Sequence, residues 1–380
     1  MGALNGVKVI ELAGIGPGPF CGMMLADMGA DVIRVDRTEA VGGADPKLPP
    51  KDVMGRGRRS IGVNLKESKG RETVLKLIEN SDMCFEGFRP GVAERLGVGP
   101  EDCLARNTSL VYGRMTGWGQ EGPYAKAAGH DINYISLAGV LAHIGRVDSG
   151  PVPPLNLVGD FGGGGMYLAF GMVCALVEAR NSGAGQIVDA AMVDGAASLM
   201  SFFYGMMETG FHEQDRGVNL LDTGAHFYDV YECLDNEWIS LGSIEPQFYN
   251  EMLEKLNLDK EEFGAQHDRE KWPILKERVA EVISSKTRSE WDEILSGSDV
   301  CYAPVLSARE ASKHPHNLAR ETFIEVAGVT QPAPAPRLSR TPGKVERPPA
   351  HAGQHTDEIL EEFGFTPDVI DSLRSGGAVA

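Results

Sequence analysis

Positive charge is the first thing this chain is short of. Its 380 residues hold 36 Lys and Arg against 54 Asp and Glu, a net charge of −18. An acidic surface repels nucleic acid and anionic membranes, so neither is an expected partner. Cysteine is sparse as well: Cys21, Cys84, Cys103, Cys174, Cys233 and Cys301 are scattered, with no Cys-x-x-Cys pair and no metal-ligand spacing. That excludes a disulfide scaffold and a zinc framework, no metal is expected, and the thiols read as those of a reducing, intracellular compartment. Long apolar runs are missing too. The longest, around Met166 to Val177, falls short of the roughly 20 residues that a bilayer-spanning helix needs. Gly6 to Leu12 reads as a strand rather than a signal peptide, and Gly377 to Ala380 is not a peroxisomal Ser-Lys-Leu tripeptide.

What is present is a globular composition, 42% hydrophobic and 24% charged. At this length one ordinary core does not suffice, and two domains are expected. The charge is uneven: residues 1–100 carry 14 basic against 13 acidic side chains, so the acidic surplus lies in the remaining 280. Arginines cluster in that near-neutral first quarter, at Arg34 and Arg37, Arg56, Arg58 and Arg59, and Arg89 and Arg95. Such clusters either bind a small polyanion or form a solvated face.

Val7 to Leu12 and Asp31 to Asp36 are β-branched runs separated by the turn Gly14-Ile15-Gly16-Pro17-Gly18-Pro19 and a helical pattern. Strand, glycine turn, helix, strand is a βαβ unit and implies a parallel sheet. A dinucleotide fingerprint with Asp36 on a ribose is the tempting reading, but Pro19 stands where its third glycine belongs. Further strands are expected at Met83 to Glu86, Leu110 to Met115 and Gln186 to Met192, and a helix at Val193 to Gly210 carrying Met200, Met206 and Met207. The texture changes from Asp222, where two short strands and three helices predict a smaller α+β domain.

Two stretches carry candidate chemistry. Gly129-His130-Asp131 places an imidazole beside a carboxylate; Asn156 to Gly165 ends an apolar strand-like run with Asp160, then a glycine tract, then a helix. An Asp at a helix start sits among free backbone N–H groups that favour an anion or a developing oxyanion. One His and one Asp can act as opposed acid and base, although each alone is also what a satisfied core histidine or a helix cap looks like.

Glu11 to Pro19, Glu86 to Gly91, Gly129 to Tyr134, Asn156 to Gly164, Val188 to Met192 and Ile244 to Tyr249 together resemble the α-methylacyl-CoA racemases of the family III CoA-transferase superfamily, from about Leu4 to Phe365. The resemblance implies a large Rossmann-like α/β domain over 1–190 and 320–380, a linker helix region over 191–224, and a small α+β domain over 225–319, in an interlocked homodimer. It implies a racemase that interconverts (R)- and (S)-2-methylacyl-CoA by 1,1-proton transfer, with His130 and Asp160 as the two bases and Glu245 hydrogen-bonded to the imidazole. Coenzyme A is then part of the substrate, and no separate cofactor is expected. The implied CoA contacts are Ile15, Arg37, Val63, Asn64, Leu65, Lys66, Gly87, Phe88, Arg89, Arg95, Gly129, Asp131, Ile132, Asn133 and Tyr134. Backbone N–H at the Asp160 helix start would hold the enolate oxygen. Thr223 and His226 depart from the family pattern, which leads one to expect Gly and Pro there, and bear on the acyl pocket. The alternative within the superfamily is a CoA-transferase with Asp160 as nucleophile, in which His130 has no evident role. The compartment would be cytoplasmic for a bacterial chain, peroxisomal or mitochondrial for a eukaryotic one.

Overall fold

The computed structural model describes residues 2–42, 45 and 47–380. Six strands, β1 (Lys8–Leu12), β2 (Asp31–Asp36), β3 (Arg59–Gly62), β4 (Met83–Glu86), β5 (Val111–Thr116) and β6 (Gln186–Ala191), form one parallel sheet in the order β3-β2-β1-β4-β5-β6. The register runs Lys8 opposite Asp31, Val9 opposite Met83 and Met83 opposite Val111. Short β-branched runs suit strands buried on both faces. Alternate residues confirm the two faces: Ile10, Leu12, Ile33 and Val35 enter one core cluster, whereas Val7, Val9 and Val32 enter another.

Helices cover both faces. α1 (Pro17–Asp27) leads from β1 to β2, α2 (Ser68–Ile78) from β3 to β4, and α3 (Val92–Arg95) with α4 (Pro100–Arg106) from β4 to β5. The first core packs Val74, Leu77 and Ile78 of α2 beneath Ile359, Leu360, Ile370 and Leu373 of the C-terminal helices. The second packs Leu25 of α1 against Leu168, Met172 and Leu176 of the long helix α6 (Met166–Ser182), reached through the short α5 (Asp131–Leu137). Each such fully buried aliphatic side chain contributes about 1.5–3 kcal/mol.

Asp160 does not sit where a strand gives way to a helix. Leu157–Gly165 is π-helical and runs directly into α6, so no strand precedes it. Its glycines are there for contact: a Cβ on Gly163 would lie 2.6 Å from the backbone of Ala196, on α7 (Met192–Leu199), and one on Gly165 2.6 Å from the Pro17 carbonyl. Joined to α6, the segment also corrects the expectation of a short apolar run. Leu157–Ser182 is 26 residues of continuous helix, long and apolar enough by composition to cross a membrane, and 44% of its most apolar stretch is buried inside the protein.

The chain divides into two compact units, Met1–Ala138 with Leu155–Leu199 and Arg320–Ala380, and Gly139–Pro154 with Met200–Ala319. The expected linker region 191–224 is thereby split, and 139–154, expected in the large domain, joins the second unit. The single helix expected over Val193 to Gly210 is broken at Met200 into α7 and α8 (Ser201–Glu208). The second unit has an antiparallel sheet of β7 (Tyr228–Glu232), β8 (Trp238–Gly242) and β9 (Tyr302–Pro304), packed with α9 (Pro246–Lys255), α10 (Trp272–Ile283) and α11 (Arg288–Leu295) around Phe227, Phe263, Trp272 and Trp291. Thr223 adopts φ +78° there, the left-handed backbone that a glycine would take without strain. His226 is fully buried, with Nε2 2.7 Å from the Tyr249 hydroxyl, and burial pushes its pKa down to about 3, so it stays neutral.

Candidate active site

Open α/β sheets bind ligands beyond the carboxyl ends of their strands, at the point where strand order reverses. In this sheet that point lies between β1 and β4. A cleft of about 550 Å³ is lined by Ile15, Gly16 and Pro17 after β1, by Gly87, Phe88 and Arg89 after β4, and by Gly117 and Trp118 after β5. Gly129, His130, Tyr134, Asn156 and Asp160 complete it.

Each functional candidate is held by a local device. His130 is the exposed N-cap of α5, and its backbone N–H donates to Asn133 Oδ1 at 3.0 Å. Asp160 is half-buried in the π-helical turn; its Oδ2 accepts from Asn156 Nδ2 at 3.0 Å. Gly16 brings the turn after β1 against that carboxylate, since a Cβ built on it would stand 3.3 Å from Asp160 Oδ2 at a φ of +69°. Tyr134 donates its hydroxyl to the Gly129 carbonyl, and its ring meets Trp118 edge-on at 4.7 Å. Burial raises the Tyr134 pKa, the Asp160 charge adds to that, and the Arg89 charge opposes it.

Beneath the β4 loop lies Glu86, fully buried, accepting from Phe88 N at 2.5 Å and from Arg114 Nε at 3.1 Å. Burial pushes its carboxyl up to about 7, against the pull of the Phe88 amide and the Arg114 charge.

The structure redistributes several residues that the resemblance ties to CoA. Asp131 is buried and turns away from the cleft: its Oδ2 accepts the backbone N–H of Asp160 at 2.6 Å. That amide is therefore not free to hold an enolate oxygen, which corrects the expected oxyanion donor. Ile132 and Asn133 do not line the cleft either, Asn133 serving as the cap partner of His130. Val63 is buried and forms a β-bridge with Val379, Leu65 packs on the first core cluster, and Asn64 donates its backbone N–H to the Ala378 carbonyl. Lys66 remains exposed, as do Arg37 after β2 and Arg95 on α3. All three sit at or beyond the carboxyl ends of strands, outside the cleft lining. Glu245 is exposed at the N-cap of α9, in the second unit.

The arginine triplet is not a phosphate site. Arg56 pairs with Asp27, Arg58 with Glu11, and Arg59 with Asp31 and Glu362, each guanidinium at most 6% exposed. Arg34 likewise closes on Asp36 at 2.7 Å, and Ser60 Oγ donates to the same Asp36 oxygen at 2.6 Å. This leaves Asp36 committed internally, against a ribose-binding role. Phe161 and Met192, which fall inside two of the matching motifs, also line the cleft, as do Trp118, Thr116 and Met54, which fall in none. The glycine-rich loop after β5 was the available signal for Trp118.

The model of CoA-transferase family III matches residues 4–356. The chain is 45% identical over 375 residues to the α-methylacyl-CoA racemase of Mus musculus, covering 98% of this chain and 96% of that one. It is 44% identical over 379 residues to the α-methylacyl-CoA racemase of Homo sapiens, with the same coverage. Among solved structures, a CaiB/BaiF family protein from Brucella suis superposes with a TM-score of 0.82 at 24% identity, over 95% of this chain and 99% of that one, a likeness of fold.

Proposed function

The chain belongs to CoA-transferase family III, and on that premise we propose that it is an α-methylacyl-CoA racemase, interconverting the two epimers of a 2-methylacyl-CoA. The observation that carries the reading is the pairing of an imidazole and a carboxylate, His130 and Asp160, on separate elements that line one cleft. Proton transfer at one carbon needs two groups on opposite sides of it, each able to give and take a proton. One base removes the α-proton, the C–H electron pair moves into an enolate with the thioester carbonyl, and the conjugate acid opposite delivers a proton to the other face. The exposed imidazole supplies one such group and the half-buried carboxylate the second.

The enolate oxygen requires donors other than the Asp160 amide. Asp131 and Ile132 open α5 beside His130 with first-turn backbone N–H groups that have no intrahelical partner, and these are assigned as the donors. Coenzyme A enters as part of the substrate, with Arg89 at the cleft and Arg37, Lys66 and Arg95 on the exposed rim as cationic contacts for its phosphates. The apolar residues left exposed on α6 and the edge strand β6, Met166, Phe170, Val177 and Ile187, support a homodimer. Glu245 is assigned to the imidazole of a second copy.

Incubation of a pure 2-methylacyl-CoA epimer in heavy water tests the reading. Deuterium should enter at C2 together with inversion, and both should vanish in His130→Ala and Asp160→Ala. A wild-type protein that leaves C2 unexchanged, yet transfers CoA to a free acid through a hydroxylamine-sensitive Asp160 anhydride, would establish the transferase chemistry instead.

A further inference from the structure

We propose that Asp131 is a positioning residue for the proton-transfer pair, one that sets where Asp160 presents its carboxylate relative to His130. The inference rests on the racemase reading and deepens it. Asp131 follows His130 directly in the chain, so the two α-carbons are fixed about 3.8 Å apart. Its side chain is 6% exposed, and Oδ2 accepts the Asp160 backbone N–H at 2.6 Å, with the Gly159 amide contributing to the same carboxylate. A Cβ on Gly159 would stand 2.4 Å from that oxygen, so glycine is what allows so close an approach. A single dipeptide thus carries one base on its own backbone and grips the backbone of the other.

Two observations separate this from an ordinary helix cap. The cap of α5 is already made, because Asn133 Oδ1 takes the His130 N–H. Asp131 Oδ1, moreover, is buried with no hydrogen-bond partner, and burial holds the carboxyl above its ordinary pKa. A buried unpaired oxygen costs stability, so this carboxylate is poorly explained as a stabilising group. Its engaged oxygen addresses the π-helical turn that bears Asp160 and nothing else.

Losing the grip should therefore disturb Asp160 more than His130, whose own cap survives. The test is the full-length Asp131→Asn variant, assayed in heavy water from each pure epimer, with C2 exchange and inversion scored separately. Exchange should persist from the epimer whose α-proton faces His130. Inversion, and exchange from the opposite epimer, should fall by about 100-fold, the order expected for a misplacement of about 1 Å. KM should hold. Gly159→Ala, which pushes on the same contact from the other side, should give the same one-sided pattern and serves if Asp131→Asn does not fold. Equal losses from both epimers, or unchanged kinetics, overturn the proposal for Asp131 alone. A wild-type protein that exchanges neither epimer overturns the racemase reading and this inference with it.

Discussion

Arg58 Nη1 donates to Glu11 Oε2 in an ion pair whose two side chains are each 1% exposed, packed against Gly22 of α1. Glu11 is the penultimate residue of β1, four positions before Ile15 at the cleft. Two charges taken this far from water gain little net stability as a pair, but removing one strands the other. Arg58→Leu should therefore destabilise the protein by about 3–5 kcal/mol, whereas Glu11→Leu combined with Arg58→Leu should recover much of that loss. Denaturant unfolding of the three proteins checks the pattern; equal losses in the single and double variants would mean that the packing volume, not the charge, matters there.

Glu86 makes stability depend on pH. Its folded-state pKa, about 7, lies above the 4.5 of an unburied glutamate. Between those values the unfolded chain has released the proton while the folded one keeps it, so stability from this group declines as pH rises from 4.5 to 7. The change is on the order of 3 kcal/mol at most. Glu86→Gln cannot titrate, and its melting temperature relative to the wild type should rise between pH 5 and pH 8. A constant difference across that range would show that Glu86 is already ionised in the folded protein at pH 5.

Thr223 holds a left-handed backbone, φ +78°, and its carbonyl accepts from Lys276 Nζ. A β-branched residue pays roughly 1–2 kcal/mol for that conformation, part of which glycine gives back through its freedom in the unfolded chain. Thr223→Gly should raise stability by about 0.5–1 kcal/mol, read as a shift in the denaturant midpoint with the slope unchanged.

Five of the six strands were legible as short apolar or β-branched runs: Asp31 to Asp36 and Met83 to Glu86 fall where the pattern puts them, whereas β3, Arg59–Gly62, opens with a charged and a polar residue and was not anticipated. The π-helical turn at Asp160 was not, since an apolar run followed by glycines reads equally as strand and turn; only the backbone contacts with α1 and α7 decide it. His130 and Asp160 were found through motifs that match a family. The opposite failure came from charge. Arg56, Arg58 and Arg59 read from sequence as either a polyanion site or a solvated face and are neither, since their partners Asp27, Glu11 and Asp31 lie far enough away in the chain that pairing is invisible before folding. The direction of the Asp131 side chain was invisible for a related reason: at the first turn of a helix it is set by what packs there, here the Gly159–Asp160 backbone.

An exposed and a buried arginine should respond differently to removal. Arg89 lines the cleft, is exposed, and has no ion-pair partner among the described residues, whereas Arg56 is 2% exposed and bound to Asp27, Gln331 and the Pro332 carbonyl. If Arg89 meets a CoA phosphate, removing it deletes a charge-assisted hydrogen bond remote from the reacting carbon. A contact of that kind contributes about 1.5–3 kcal/mol equally to bound substrate and transition state. It should therefore appear in KM and not in kcat. Arg89→Ala should raise KM for a 2-methylacyl-CoA by roughly 10–100-fold with kcat nearly unchanged. Arg56→Leu should do the reverse, lowering the melting temperature while the surviving folded enzyme keeps its KM, because its guanidinium never reaches the ligand. Steady-state kinetics on both variants decide the matter, and a KM effect for Arg56→Leu as large as that for Arg89→Ala would return the buried triplet to the binding site.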